Sequence, residues 1–324
     1  MNIKILSKRF FQNAFYWQQV FEWEDVLKEK MSAKLVPNLS LAPFVKIRTL
    51  FNYLPICPKS PSIIFEMNPE RRWISSYNQR HIIPYVIDFY LDTDEKLNKF
   101  YKDYSNHKYI LVSSIEAFNY LKDKNCPLNI VHAPLTISDK YRIDENTIFN
   151  KEIDLLLMGR QNKRMQDFLN KYLSTHDLNV VRCRIEDGHF NYYDKHGKYY
   201  GNADKREGVM NLLRKSRISL YTEKGLEGDI HHGAHSDLFV HVTPRLFEYI
   251  VTGNHIIASF AHNSESEYFE LEKMFLNVQT YEDFEKEMDK AMTTPVDMKK
   301  YADYMNKHYT STLIPLLNKL VDTL

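Results

Sequence analysis

The stretch Thr243-Pro-Arg-Leu-Phe-Glu-Tyr-Ile-Val-Thr-Gly-Asn-His-Ile-Ile-Ala-Ser259 decides the fold. It reads as a helix that stops at a glycine and runs straight into a short buried strand. Thr243 stands where a helix N-cap belongs, and Pro244 suits the first helical position, whose N–H has no intrahelical partner. Gly253 can take the left-handed conformation that ends a helix, and His255 to Ser259 is an apolar run of core-strand length. Arg245 and Glu248 are three residues apart, so they share one helical face near the positive end of the helix dipole. A guanidinium and a carboxylate held there, at the edge of a parallel sheet, suit a ligand carrying hydroxyls and phosphates. An ordinary helix–strand unit with a surface Arg245–Glu248 pair accounts for the same residues.

Outward from this unit, strand-like and helix-like runs alternate in both directions, which implies parallel sheets with helices on both faces. In the second half, strand 153–158, helix 162–173, strand 179–184, an irregular Tyr-rich insert, helix 206–215 and strand 217–221 precede it. Strand 275–278 and helix 281–292 follow, and two more helical runs, 298–306 and 311–324, close the chain. In the first half the strands are 3–6, 62–66, 84–89, 109–113 and 129–132, with helices at 13–30, 69–80, 93–104 and 114–124. The polar, aperiodic residues 136–152 read as the connection between two domains.

The 324 residues suffice for two such domains. Lysine and arginine number 43 against 42 aspartates and glutamates, so no net field favours nucleic acid or an anionic membrane. The N-terminal residues lack the apolar core of a secretion signal, and no run is long enough to span a bilayer. Cys57, Cys126 and Cys183 are scattered and odd in number, as free thiols in a reducing cytoplasm would be. All nine glycines lie from Gly159 onward and never cluster, which excludes a dinucleotide fingerprint and a Walker loop. No nicotinamide or P-loop chemistry is expected.

Three segments of the second half carry candidate chemistry. The turn Leu157-Met-Gly-Arg-Gln-Asn-Lys-Arg164 leaves a strand and enters a helix. It sets Arg160, Lys163 and Arg164 beside a helix N-terminus, an anion site or simply a solvated basic turn. Tyr199-Tyr-Gly201 precedes the amphipathic run to Tyr221. From Asp229 to His241, four histidines and two aspartates crowd into 13 residues. His231, His232, His235 and Asp237 have zinc-ligand chemistry, but Gly233 and the loop setting break the rigid spacing of helical metal ligands. His235 or Asp237 polarising a hydroxyl or a leaving group is the other reading, and a solvated loop a third.

Taken in order, these segments resemble the donor-binding half of GT-B glycosyltransferases (glycosyl transferases group 1). There an acidic residue is followed five positions later by glycine and then an apolar strand, as are Glu248, Gly253 and Ile256 to Ser259. Arg245-Leu-Phe-Glu248 is closer still to the CgeB-like branch, with its Arg-x-Phe-Glu core. The Gly159-Arg160 turn is similar to the one that holds the donor diphosphate, and Tyr199 to Tyr221 to the segment between the two sites. Tyr109 to Leu121 and His132-Ala-Pro-Leu135 loosely resemble the end of the acceptor domain. One departure is clear: the second glutamate of many retaining enzymes, eight positions before Glu248, is Val240 here.

The resemblance implies an α/β, GT-B architecture of two Rossmann-like domains with a cleft between them. Residues 1–150 would form the acceptor-side domain, 151–294 the donor-binding domain, and 295–324 helices packing back on the first. It implies transfer of a sugar, hexosyltransferase-like, from a nucleotide diphosphate sugar to a glycan or glycolipid acceptor, as in bacterial surface polysaccharide synthesis. Arg160, Lys163, Arg164, Gly201, Tyr221, Thr243, Arg245 and Glu248 would bind the donor, with the ribose hydroxyls on Glu248. His235, Asp237 and Asp88 are the candidates for catalysis. No cofactor, metal or nucleic acid is expected, the location would be cytoplasmic, and membrane association at most peripheral. The rivals are a GT-A enzyme binding Mn²⁺ through Asp92-Thr-Asp94, and a catalytically silent scaffold. Asp92 as N-cap with Glu95 in a capping box explains the first of these motifs without metal.

Overall fold

The computed structural model describes residues 2–12, 14–38, 60–69, 79–159, 161–227 and 239–324. They fall into two units: Met1–Asp139 with Tyr309–Leu324, and Lys140–His308. Among the described residues no helix is long and apolar enough to cross a membrane.

The first unit is built on a six-stranded sheet. Its strands are β1 (Lys4–Ser7), β2 (Lys34–Pro37), β3 (Ser62–Glu66), β4 (Ile82–Val86), β5 (Ile110–Val112) and β6 (Ile130–His132), ordered β2-β1-β3-β4-β5-β6. Every pairing is parallel. β3 and β4 are buried at each residue, as strands covered by helices on both faces must be. Helix α1 (Phe15–Lys30) packs Trp17, Trp23 and Leu27 against Phe65 and Tyr85, and the C-terminal helix Ile314–Asp322 adds Leu317, Leu320 and Val321 to that core. Helices α2 (Asp94–Tyr104) and α3 (Ile115–Asp123) are capped by Thr93 and Ser114, whose hydroxyls accept from Lys96 and Ala117 N–H. The expected Asp92 cap is therefore corrected: Lys96 Nζ draws the Asp92 carboxylate to 2.8 Å and Thr93 takes the cap.

In the second unit, β7 (Ile153–Leu157), β8 (Val180–Glu186), β9 (His189–Tyr193), β10 (Tyr199–Asn202), β11 (Ser216–Thr222) and β12 (His255–Ser259) are ordered β10-β9-β8-β7-β11-β12. The four strands from β8 to β12 are parallel, while β9 and β10 extend the sheet antiparallel. The supposedly irregular Tyr-rich insert is thus regular sheet. Much of it is exposed on both faces, so no alternation of polar and apolar residues marks it. The helices include α4 (Lys163–Leu173), α5 (Arg206–Lys215), α6 (Pro244–Val251), α7 (Tyr281–Thr293) and α8 (Met298–Met305).

The expected strand 275–278 reduces to one bridge, Ala258–Asn277. There the Asn277 amide bonds both the N–H and the C=O of Phe260, doing with a side chain what a ladder would do with backbone. The carbonyl ends of α6 and α7 are covered by basic groups. Lys151 Nζ donates to Thr252 O at 2.7 Å, Arg217 Nη1 to Met292 O at 3.1 Å, and His255 Nε2 lies 2.6 Å from Thr294 O. α8 stays in this unit through Tyr301 and Tyr304, whose hydroxyls donate to Asn254 O and Phe269 O. Segment 295–324 is therefore shared between the two units, with Tyr309 onward in the first.

Candidate functional site

Helices α5 and α6 each lead into a parallel strand, so both run against the sheet and place their N-termini at its carboxyl edge. Ligands of open α/β sheets bind at that edge. α6 forms because Pro244 opens it and Leu246 to Val251 are buried all round. It ends because Gly253 adopts a φ of +64°, and a Cβ there would come within 2.8 Å of the Phe149 ring. Thr243 occupies the N-cap position without a side-chain cap, and its N–H points at the Tyr221 hydroxyl, 3.4 Å away.

At this end, Glu248 sits between two arginines. Arg206 Nη1, from the first residue of α5, donates to Glu248 Oε1, and Arg245 Nε lies 3.1 Å from Oε2. The carboxylate side chain is 3% exposed, Arg206 is 9% and Arg245 28%. Burial pushes the Glu248 carboxyl up, but the Arg206 and Arg245 charges outweigh it and hold the group below its ordinary range. Two guanidiniums thus meet one carboxylate near the positive end of α6. Arg206 also lies over the Tyr141 ring, 5.7 Å from its centroid.

Arg245 faces the first turn of this unit. Gly159, with a φ of +75°, brings its backbone close enough that an added Cβ would sit 3.8 Å from Arg245 Nη2. Arg245 Nη1 is buried and has no acceptor among the described residues. A donor held without a partner beside a glycine turn and a helix N-terminus is built to receive an anion.

No protein-family model and no curated protein matches the chain. AviGT4, a glycosyltransferase involved in avilamycin A biosynthesis, is similar in structure over 100% of this chain and 99% of its own, with TM-score 0.57 and 9% identity. The chain has the GT-B fold. The GtfA/B complex matches 86% of the chain at TM-score 0.48 and 9% identity. The pneumococcal O-GlcNAc transferase GtfA in complex with UDP and GlcNAc also matches 86%, at TM-score 0.47 and 10% identity. The chain spans 59% of the length of each of these two.

Within the GT-B frame, the expected site residues separate. Arg245, Glu248, Thr243 and Tyr221 meet at the carboxyl edge, with the Gly159 turn against Arg245. Arg164 reaches the same edge, where its Nη2 donates to Ser259 Oγ at 2.7 Å at the end of β12. Lys163 turns instead to Asp167, 2.8 Å away and exposed. Gly201 lets β10 approach α5, since a Cβ there would lie 3.2 Å from Leu212 Cδ2. Val240, standing where many relatives of the resembled family have glutamate, accepts Asn263 Nδ2 through its carbonyl at 2.9 Å. Arg160, His235 and Asp237 lie outside the described residues. The flanks of the His235 loop are pinned by the antiparallel bridge Lys224–His241, just past β11.

Sequence reading missed Arg206 and Tyr192. Arg206 passed as the polar first residue of an amphipathic helix; its partner Glu248 is 42 residues away. Tyr192 is 4% exposed in β9, close enough for the Arg245 charge to act on its hydroxyl.

The first unit has a switch point of its own between β1 and β3, where the strand order reverses. Lys8, Glu24 and Glu66 are buried there. Burial lowers the Lys8 pKa, and the charges of Glu66 and Glu24 oppose it. Asp88 lies beside them, its N–H bonded to Met67 O at 2.8 Å. Asp92 and Asp94, the rival metal motif, pair with Lys96 and Lys124.

Proposed function

We propose that the chain is a glycosyltransferase that moves a sugar from a nucleoside diphosphate sugar to a saccharide or similar acceptor. The observation that carries this reading is the buried Arg245 Nη1, which has no acceptor among the described residues and lies in the Arg206–Glu248–Arg245 cluster against the Gly159 turn. Arg245 takes the diphosphate, and Arg160, next in sequence to Gly159, is a second candidate for that role. Glu248 fixes Arg245 through its carboxylate, and its ribose contact is the remaining role carried by the family resemblance. In the transfer, the acceptor hydroxyl oxygen bonds the anomeric carbon, and the bond from that carbon to the diphosphate oxygen breaks. The electron pair leaves on the diphosphate, where fixed guanidiniums and helix N-termini stabilise it. The hydroxyl proton goes to a base, for which His235, Asp237 and Asp88 are the candidates. The Arg-x-Phe-Glu sequence favours the CgeB-like branch, and a cytoplasmic surface-glycan role with a hexosyl donor fits the absence of any cofactor motif.

A thermal-shift panel of nucleosides, nucleoside diphosphates and nucleotide sugars tests this, because a ligand binding only the native state raises the melting temperature by mass action. A shift with a nucleotide sugar, followed by its slow hydrolysis, supports the enzyme. A shift without any turnover in the presence of glycan acceptors would favour the silent scaffold. No shift with any nucleotide would overturn the reading.

A further inference from the structure

We infer that the inner face of the β8–β9 hairpin seats the base of the bound nucleotide, with Phe190 and Ile185 as its contact residues. The inference rests on the donor reading above and assigns it a subsite.

β7 ends at Leu157, which pairs with Arg182 of β8. Cys183 to Glu186 therefore continue past the carboxyl edge of the neighbouring strand, on the side where Arg245 and the Gly159 turn lie. The antiparallel register pairs Cys183 with Tyr192 and Ile185 with Phe190. Side chains alternate along a strand, so these four share one face, while Arg182, Arg184, Asn191 and Tyr193 share the other.

The first face is the one that looks toward the cluster. Gly201, opposite Tyr192, turns its missing Cβ toward Leu212 of α5, so α5 packs on this side, and α5 carries Arg206. Tyr192 is buried within the field of Arg245. Phe190 stands two residues beyond it, roughly 7 Å along the strand. There the face opens: Phe190 is 43% exposed and Ile185 69%. An apolar cross-strand pair is thus kept uncovered on the side facing the phosphate site, while the opposite face of the same hairpin is charged and polar. A flat aromatic ring stacking on Phe190 with Ile185 at its edge would cover both, and a nucleoside whose phosphates lie on Arg245 can present such a ring.

The test separates base from phosphate. Calorimetric binding of uridine, thymidine, guanosine and adenosine diphosphates is compared with binding of pyrophosphate, for the wild-type chain and for Phe190→Ala and Ile185→Ser. The preferred nucleoside diphosphate should bind each folded variant roughly tenfold more weakly, with pyrophosphate unchanged. A second readout uses Cys183, an exposed free thiol on the same face. With Cys57 and Cys126 replaced by serine, the nucleoside diphosphate should slow Cys183 alkylation and pyrophosphate should not. Equal loss of nucleotide and pyrophosphate, or unchanged nucleotide affinity in both variants, would overturn the base subsite while leaving the donor reading standing. A wild-type chain that binds neither probe would overturn both.

Discussion

Arg206 and Glu248, 42 residues apart in the chain, meet head-on inside the second unit, Arg206 Nη1 on Glu248 Oε1. The carboxylate in the middle of α6 is thereby bound to the helix before it. This joins α5 to α6 at the carboxyl edge and presents Arg245, the second partner of Glu248, toward Gly159. Breaking a buried pair leaves an uncompensated charge, which is worse than never having had the pair.

Glu248→Ala should therefore cost stability as well as function. Removing the carboxylate breaks its pairs with two guanidiniums at 9% and 28% exposure, a loss of ~3–5 kcal/mol. Urea denaturation measures it. Replacing Arg206 and Glu248 together by methionine and leucine should recover much of the loss. A double variant no more stable than Glu248→Ala would show that the pair is not the cause.

Arg245→Ala should weaken nucleoside diphosphate binding by ~1.5–3 kcal/mol and leave free nucleoside binding unchanged, because the proposed donor mode puts a phosphate oxygen on its buried Nη1, which has no acceptor among the described residues. Calorimetry with the two ligands decides. Equal losses for nucleoside and diphosphate would remove Arg245 from the phosphate site.

How far the sequence carried this picture depends on the reach of each interaction. Strands 62–66 and 255–259 and helix 206–215 were readable to the residue, since their signals (continuous apolar runs, one amphipathic period) are local. The same locality placed Arg245 and Glu248 on one helix face. It could not show that Glu248 is buried, nor that Arg206 faces it, because both follow from packing of separate elements. β9 and β10 escaped for the opposite reason: each buries a single residue, Tyr192 and Tyr200, too few for an alternating core side to show in the sequence.

His308 should make the second unit acid-sensitive. It packs at a tilt against the rings of Phe247, Phe269 and Tyr304, its Nε2 is buried without a partner among the described residues, and burial lowers its pKa to about 4. In the unfolded chain a histidine titrates near ~6.5. Between these values the unfolded state binds a proton that the folded state refuses. Stability is thus intact above pH ~6.5 and is lost as pH falls toward 4, by up to ~3 kcal/mol. His308→Phe, which keeps the ring cluster, should flatten that part of the stability–pH curve. Parallel curves for the two proteins would exclude His308 as the source.

Turnover should persist in EDTA. In the proposed donor mode the diphosphate meets fixed positive partners in Arg245 and the helix N-termini, and Asp92 and Asp94 are already paired with Lys96 and Lys124. Loss of activity on chelation, its restoration by Mn²⁺ and its abolition in Asp94→Ala would together favour the metal-dependent rival.

The last prediction concerns the base that receives the acceptor proton. On the donor side, the position that carries a glutamate in many retaining enzymes is Val240, which offers only its carbonyl, and that is taken by Asn263. His235 and Asp237 are the titratable candidates a few residues before it in sequence, in a segment whose described flanks are tied by the Lys224–His241 bridge just beyond β11. A histidine there can change protonation near neutral pH. His235→Ala or Asp237→Ala should lower kcat by at least ~10²-fold, a usual size for acid–base catalysis. The donor Kd should hardly move, because the proposed diphosphate partners sit on α6 and the Gly159 turn. A near-normal kcat in both variants would transfer the role to Asp88, beside the buried Lys8–Glu66 cluster of the first unit. A large rise in donor Kd with kcat preserved would make the loop part of the binding surface instead, since a group used only in the transition state lowers kcat and leaves ground-state affinity alone.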